Sequence, residues 1–262
     1  MKKTHIDQLN RTVEIEENPQ RIISLVPSQT EYLADLGLEK ELVGITKFCI
    51  HPEEIFRNKT RVGGTKQLNF DKIAALQPDL IIANKEENSQ ADIEYLSQHY
   101  PIWISDIITF DDALEMMLKI GEITNKKAEA ENIVQRISEY KNSFEKFSFP
   151  SIKTLYLIWK NPYMAAAKGT FINEIMLLAN FENVIDESRY PELDEEKIKN
   201  LKPELILLSS EPYPFKEKHI EALQQLLPTA KIILADGEMF SWYGSRLLKT
   251  FNYLGDLRRE LG

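Results

Sequence analysis

The chain has 262 residues, 43% hydrophobic and 28% charged, enough for one large or two modest globular domains. Its 41 acidic and 32 basic residues leave a net charge of −9, which argues against nucleic acid as a partner, because phosphate binding needs clustered Lys and Arg. A single cysteine, Cys49, excludes an internal disulfide and a cysteine-rich metal cluster, and no run of 18 apolar residues is present to span a membrane as a helix.

Residues 1–19 open with two lysines, as an export signal does, but His5, Asp7, Gln8, Asn10 and Arg11 stand where the apolar run belongs. A soluble, unprocessed chain is expected. Residues 12–16 read as an edge strand and 21–26 as a buried β-branched strand. Pro27 and Ser28 then turn the chain. Ser28 is expected to cap a helix over 30–36, with Glu31 completing a capping box and Gly37 ending it. A strand at 42–46 is followed by loops at 47–52 and 63–67, a helix at 71–76 and a strand at 79–83. A loop at 84–89, a helix at 90–99, a strand at 102–104 and a helix at 109–121 complete the first half.

Residues 124–147 read as one amphipathic helix, since Ile133, Val134, Ile137, Tyr140, Phe144 and Phe147 recur at gaps of three and four. Thr124 or Asn125 is its expected cap and Pro150 lies beyond its end. At 1.5 Å per residue it would span roughly 35 Å. The pattern resumes with a strand at 152–158, a loop at 159–169 and helices at 171–179 and 194–201. A strand at 205–209, a helix at 217–227, a strand at 231–234 and a closing helix at 246–261 follow. Alternation of this kind predicts right-handed βαβ units and mainly parallel sheets. Three parts are expected: an α/β lobe over 1–108, connecting helices over 109–148, and a second α/β lobe over 149–262.

An internal repeat supports two lobes. Residues 72–82 and 197–207 align at an offset of 125 with six identities in eleven positions. A carboxylate precedes each copy, Asp71 and Glu196. Two readings stand: matching surface points of equivalent lobes, or acids that suit a helix N-terminus.

Ligands of open parallel sheets collect at the carboxyl ends of the strands. In the first half this selects Pro27, Ser28, Phe48, His51, Thr65, Lys66 and Asn84. In the second it selects Trp159, Tyr163, Arg189, Tyr190 and Tyr213, then Asp236, Phe240, Trp242, Tyr243 and Arg246. Aromatics with polar tips suit a bulky, partly apolar ligand. No nucleophile elbow or phosphate loop is present, and no catalytic residue is assigned. Asp236 and Glu238 lie two apart without an evident nucleophile. Cys49 and His51 form either half of a reactive pair or a packed thiol and a loop histidine. His51 with Glu31 and Asp236 is the one candidate set for a metal held directly.

The stretches ISLVPSQTE and IAALQPDLI, with the connecting helix after them, resemble the helical-backbone periplasmic-binding family, whose members serve ABC importers of cobalamin and ferric siderophores. The resemblance runs from about Pro19 to the last helix. It implies a class III substrate-binding protein: two α/β lobes with mainly parallel sheets, bridged by the helix at 124–147, a pre-formed cleft with limited closure, and a monomer without an intrinsic cofactor. It also implies that Asp71 and Glu196 dock onto the membrane permease, and that the ligand is cobalamin, a ferric siderophore or haem. Cobalamin binders of the family carry aromatics where Thr65 and Asn84 stand here, while Phe48 keeps the aromatic character of its position. The resemblance places the protein in the periplasm or at the cell surface, whereas the missing export signal points to the cytoplasm. The alternatives are a metal-dependent intracellular enzyme or a free-metal or haem receptor on the same scaffold.

Overall fold

The computed structural model describes residues 1–262. Two compact units are present. Unit one comprises 1–107, 111–138 and 243–248; unit two comprises 108–110, 139–242 and 249–262.

Unit one begins with a hairpin, β1 (Lys2–Ile6) and β2 (Thr12–Glu16), paired antiparallel. Of the residues read as standing in place of an export signal's apolar run, His5 lies in β1 and Asp7, Gln8, Asn10 and Arg11 form the turn. This turn is fixed by Asp7, whose carboxylate accepts from the Leu9 and Arg11 amides and the Arg11 guanidinium at 2.8–3.0 Å. The main sheet contains β3 (Ile22–Ser24), β4 (Leu42–Ile45) and β5 (Thr60–Arg61). After a small hairpin, β6 (Gly63–Gly64) and β7 (Gln67–Leu68), β8 (Leu80–Asn84) and β9 (Ile102–Ser105) complete it. Its order is β5-β4-β3-β8-β9, with every pair parallel. The helices are α1 (Pro27–Asp35), α2 (Glu53–Asn58), α3 (Phe70–Leu76), α4 (Gln90–Ser97), α5 (Phe110–Ile123) and α6 (Lys127–Phe144). Ile23, Leu25, Ile81, Ala83, Ile102 and Ile104 form the buried heart of one face with Ile73, Ile93 and Leu96 from α3 and α4. Gly44 has no room for a side chain there, since a Cβ would stand 2.8 Å from the Leu76 side chain.

Two helix starts differ from expectation. Ser28 lies inside α1, not at its cap; Pro27 occupies the first turn, where its missing N–H costs nothing, and Val26 caps without a side-chain bond. The helix expected over 124–147 is α6, trimmed to Lys127–Phe144, and the helix before it runs on to Ile123. The Thr124 hydroxyl bonds back to the Ile120 carbonyl, Asn125 adopts φ 57°, and the Lys126 amide returns to the Gly121 carbonyl. These features end α5, so Thr124 and Asn125 close one helix and do not cap the next. The 18-residue α6 spans about 27 Å at 1.5 Å per residue. Its residues through Ser138 count with unit one and those from Glu139 with unit two.

Unit two is built on β10 (Ile152–Trp159). Its first half pairs parallel with β12 (Phe181–Asn183), and its last residues pair antiparallel with β11 (Tyr163–Ala165), which leads to β13 (Glu192–Leu193). On the other side lie β14 (Leu205–Ser209) and β15 (Lys231–Ala235), both parallel. The sheet is thus parallel with an antiparallel margin, and 159–169 holds a strand where a loop was expected. The helices are α7 (Phe171–Leu178), α8 (Glu195–Leu201), α9 (Glu217–Leu226), α10 (Gly237–Ser241) and α11 (Leu247–Leu261). Arg258, fully buried, is held between the Phe149 and Phe181 rings at 5.2 and 4.9 Å.

The repeat persists in three dimensions at positions that are not identical in sequence. Asn69 and Asp194 each cap their helix, accepting from the Lys72 and Lys197 amides at 2.9 and 2.7 Å. Gln77 and Lys202 each end it in the left-handed region, at φ 46° and 47°. Asp79 and Glu204 each accept from the strand beside them. Asp79 takes the Gln20 and Arg21 amides at 2.7 and 2.8 Å, and Glu204 takes the Lys153 amide at 3.0 Å.

We expect Asp79→Ala to lower stability by about 2 kcal/mol and Glu204→Ala by about 1 kcal/mol, following two charge-assisted bonds against one. Gln77→Gly and Lys202→Gly should each raise it by about 0.5 kcal/mol by relieving the left-handed residue. Urea unfolding midpoints check the ranking.

Candidate ligand-binding site

In unit one the carboxyl ends of the strands are largely occupied by a buried polar knot. Thr30, on α1, has its hydroxyl 2.8 Å from Ser24 Oγ and 3.1 Å from Cys49 Sγ, and Thr46 Oγ1 is also 3.1 Å from that sulfur. Burial pushes the Cys49 thiol pKa up against those two hydroxyls, so the sulfur is a packed thiol and not a nucleophile. Ser105 Oγ accepts from Gln29 Nε2 at 2.5 Å and Asn84 Nδ2 at 3.0 Å and donates to the Ala83 carbonyl at 3.2 Å. Asn84 Oδ1 accepts from the Glu86 and Glu87 amides at 2.8 and 3.0 Å. Asn84 therefore shapes its loop from within and has no polar atom to spare for a ligand. Asn88, not anticipated, ties that loop to the Leu25 and Thr65 carbonyls at 3.2 and 3.1 Å.

The segment 243–248 also belongs to unit one. Arg246 is 6% exposed and donates from Nε to Glu31 Oε2 at 2.9 Å. Ser28 and Tyr243 are buried in the same unit, and burial, with the Glu87 charge next, pushes the Tyr243 phenol far up. Gly244 passes so close that a Cβ would lie 3.3 Å from Tyr32 Cβ, and its φ of 97° suits glycine. Arg246 thus closes an ion pair within this unit. The groups left at the surface are Phe48, half exposed with the Lys47 ammonium 5.0 Å from its ring, exposed Lys66, and the partly exposed Pro27, His51 and Thr65. Lys66 Nζ donates to the Glu86 carbonyl.

In unit two the strand ends carry aromatics. Trp159, 39% exposed, sits edge-on to Tyr213 at 5.6 Å, and Tyr163 lies beneath the Lys160 ammonium at 5.8 Å. Arg189 stacks 5.9 Å from the Tyr190 ring and donates to the Gly169 carbonyl at 3.2 Å. Phe240 is fully buried against Tyr156 at 4.9 Å, so it is core and not ligand surface. Trp242 is buried too, its indole N–H donating to Glu211 Oε1 at 2.8 Å. Asp236 caps α10 by accepting from the Glu238 amide at 3.1 Å.

Glu211 was not singled out from sequence, although it follows a strand end directly. Its Oε1 also accepts from Ser241 Oγ at 2.8 Å. Burial first, then the charges of Glu238 and Asp236, push its pKa up against those two bonds. No group of three or more His, Cys, Asp or Glu side chains is placed to hold a metal. Of the set proposed for one, Glu31 is engaged by Arg246 and Asp236 by the α10 start.

We expect Arg246→Ala to cost about 3 kcal/mol of stability, because it leaves Glu31 charged and buried; thermal unfolding checks this. A carboxyl whose native pKa is raised binds its proton more tightly in the folded state. Its stabilisation is complete below the unfolded pKa and is lost as pH rises through the folded one. Glu211→Gln should therefore be more stable than the parent at neutral pH, with the gap closing towards pH 4, in paired urea titrations.

The family model for periplasmic binding proteins matches residues 22–231. The vitamin B12-binding protein of Pectobacterium carotovorum subsp. carotovorum is 26% identical over 237 residues, covering 88% of this chain and 85% of its own length. An uncharacterised ABC transporter substrate-binding lipoprotein of Bacillus subtilis is 27% identical over 213 residues, covering 77% of this chain and 67% of its own. Among solved structures, a periplasmic haem-binding protein from Pseudomonas aeruginosa superimposes with a TM-score of 0.77 at 20% identity, over 92% of each chain. That likeness is one of fold, the class III arrangement of α/β units. The match over 22–231 identifies this chain as a member of the periplasmic binding protein family.

Proposed function

We propose that this chain is the substrate-binding protein of an ABC importer and takes a bulky metal chelate, of the cobalamin, haem or ferric-siderophore kind, without catalysing a reaction on it. The observation that carries the reading is the repeat. Asp71 and Glu196 are each the second residue of equivalent helices, α3 and α8, and both are exposed. Neither carboxylate caps its own helix, since Asn69 and Asp194 do that. A pair of exposed acids kept free of capping duty at equivalent points suits a partner that presents two cationic groups, as a two-fold permease does. Each unit offers an exposed ring at a strand end, Phe48 in one and Trp159 in the other, and an aromatic face of that kind suits a flat ligand. The named relatives, a vitamin B12-binding protein and an ABC transporter lipoprotein, favour the same reading. On this reading we propose that the chain works outside the inner membrane or at the cell surface, as a monomer.

Titration of cyanocobalamin, haemin and a ferric siderophore, followed by Trp159 quenching, should give saturable 1:1 binding of at least one below about 10 μM. Trp159→Ala and Phe48→Ala should each weaken it roughly tenfold. Absence of binding to all three at that level contradicts the reading. Asp71→Lys with Glu196→Lys should abolish uptake while leaving chelate affinity within about twofold; full transport by the double variant overturns the docking assignment.

A further inference from the structure

Unit two contains a polar arrangement that the general reading does not use. His219, 5% exposed, accepts the Lys216 backbone N–H on Nδ1 at 2.8 Å. A backbone N–H can only donate, so Nδ1 is unprotonated. The neutral ring then carries its proton on Nε2, which faces the Tyr213 hydroxyl at 3.3 Å. Tyr213 Oη thereby accepts from His219, and its own O–H is left to donate elsewhere. Burial keeps the imidazole neutral, and the charges of Lys160, Lys218 and Lys216 push its pKa further down.

Those three lysines form no ion pair, in contrast to Lys168 and Lys197 of the same unit, which are paired with Asp186 and Glu187. Glu217 and Glu221 on α9 pair with none of them. Lys160 overlies Tyr163, and Tyr213 meets the Trp159 ring in an edge contact at 5.6 Å. Glu195 is the acid whose charge reaches Tyr163. One directed hydroxyl donor, a partly exposed aromatic surface and an unneutralised set of ammonium groups therefore stand together at the carboxyl ends of β10 and β14. Stacking surface with surplus positive charge recognises an anion on an aromatic or conjugated frame.

We infer that Tyr213, oriented by His219 and flanked by Lys160, Lys216 and Lys218, is an anion-recognising subsite that selects a metal chelate bearing carboxylate or catecholate groups over an uncharged corrin. This rests on the chelate-binding reading above and narrows its ligand class. His219 is a positioning residue; Tyr213 and the lysines meet the ligand.

The test measures affinity for haemin, a ferric tris-catecholate and cyanocobalamin, on the parent, Tyr213→Phe and the triple variant Lys160→Gln/Lys216→Gln/Lys218→Gln. Circular dichroism confirms that each variant folds. For the parent, one of the two anionic chelates should bind at least about tenfold tighter than cyanocobalamin, and the advantage should shrink as salt rises from about 0.05 to 0.5 M. The ratio of anionic-chelate to cyanocobalamin affinity should fall about fivefold in Tyr213→Phe and about tenfold or more in the triple variant. Equal or tighter cyanocobalamin binding by the parent, or an unchanged ratio in both variants, overturns the inference while leaving the importer reading intact. Failure of all three chelates to bind overturns the importer reading and this inference with it.

Discussion

The carboxylate after a proline, Asp79 in one unit and Glu204 in the other, is the constraint on which each sheet depends. It accepts the first amides of the central strand, at Gln20 and Arg21 before β3 and at Lys153 in β10. The same residue's backbone returns a bond to that strand, from the Asp79 amide to the Arg21 carbonyl and from the Glu204 amide to the Lys153 carbonyl. Parallel neighbours cannot be joined by a tight turn, so their register has to be set by such a contact or by packing. The helix before it ends on a left-handed residue, Gln77 or Lys202, and the proline prevents continuation. Each helix start is thereby held at a fixed point relative to its strand, and with it Asp71 and Glu196.

The two units use their strand ends differently. In unit one they are filled by neutral hydrogen bonds among Ser24, Gln29, Thr30, Asn84 and Ser105, a set that fixes loop shape. The apolar surface offered there comes from Phe48. In unit two, ring contacts link Trp159, Tyr213, Phe215 and His219, and the Tyr213 hydroxyl faces Nε2 of the buried His219 at 3.3 Å. A rigid ring cluster presenting an oriented donor costs little entropy on binding, which is what a preformed site requires.

The fold was legible where a physical period was strong. The β-branched run at 21–26 and the helix–proline–strand repeat read correctly because burial dictates their spacing; of the apolar face expected over 124–147, Ile133, Ile137 and Phe144 are buried while Tyr140 and Phe147 are exposed. The break between α5 and α6 was legible but its place was not, because Thr124 and Asn125 serve equally well as an N-cap or as the end of a preceding helix; the Gly121 carbonyl accepting the Lys126 amide decides it. The first hairpin was obscured by its exposed, polar strand, whose partner and the Asp7 turn supply what its own sequence lacks.

The candidate site was legible by loop and less so by residue. Strand ends predicted where to look, and Trp159, Tyr163 and Tyr213 lie there with partial exposure. Asn84, Phe240, Trp242 and Arg246 sit in the same segments but are buried. Sequence gives no direction to a side chain at or just beyond a strand end, and each of these found a partner inside its own unit. His219 and Glu211 were missed for the converse reason: their environment is assembled from several segments, and their neighbours in the chain are ordinary.

As the proposed binding protein of an importer, this chain would carry one metal chelate and leave it untransformed. Native mass spectrometry of the protein mixed with equimolar cyanocobalamin, haemin and ferric tris-catecholate tests it directly. One dominant 1:1 complex with an intact anionic chelate, unchanged in mass after prolonged incubation, is the expected result. Free protein alone, or a bound species altered in mass, would contradict it.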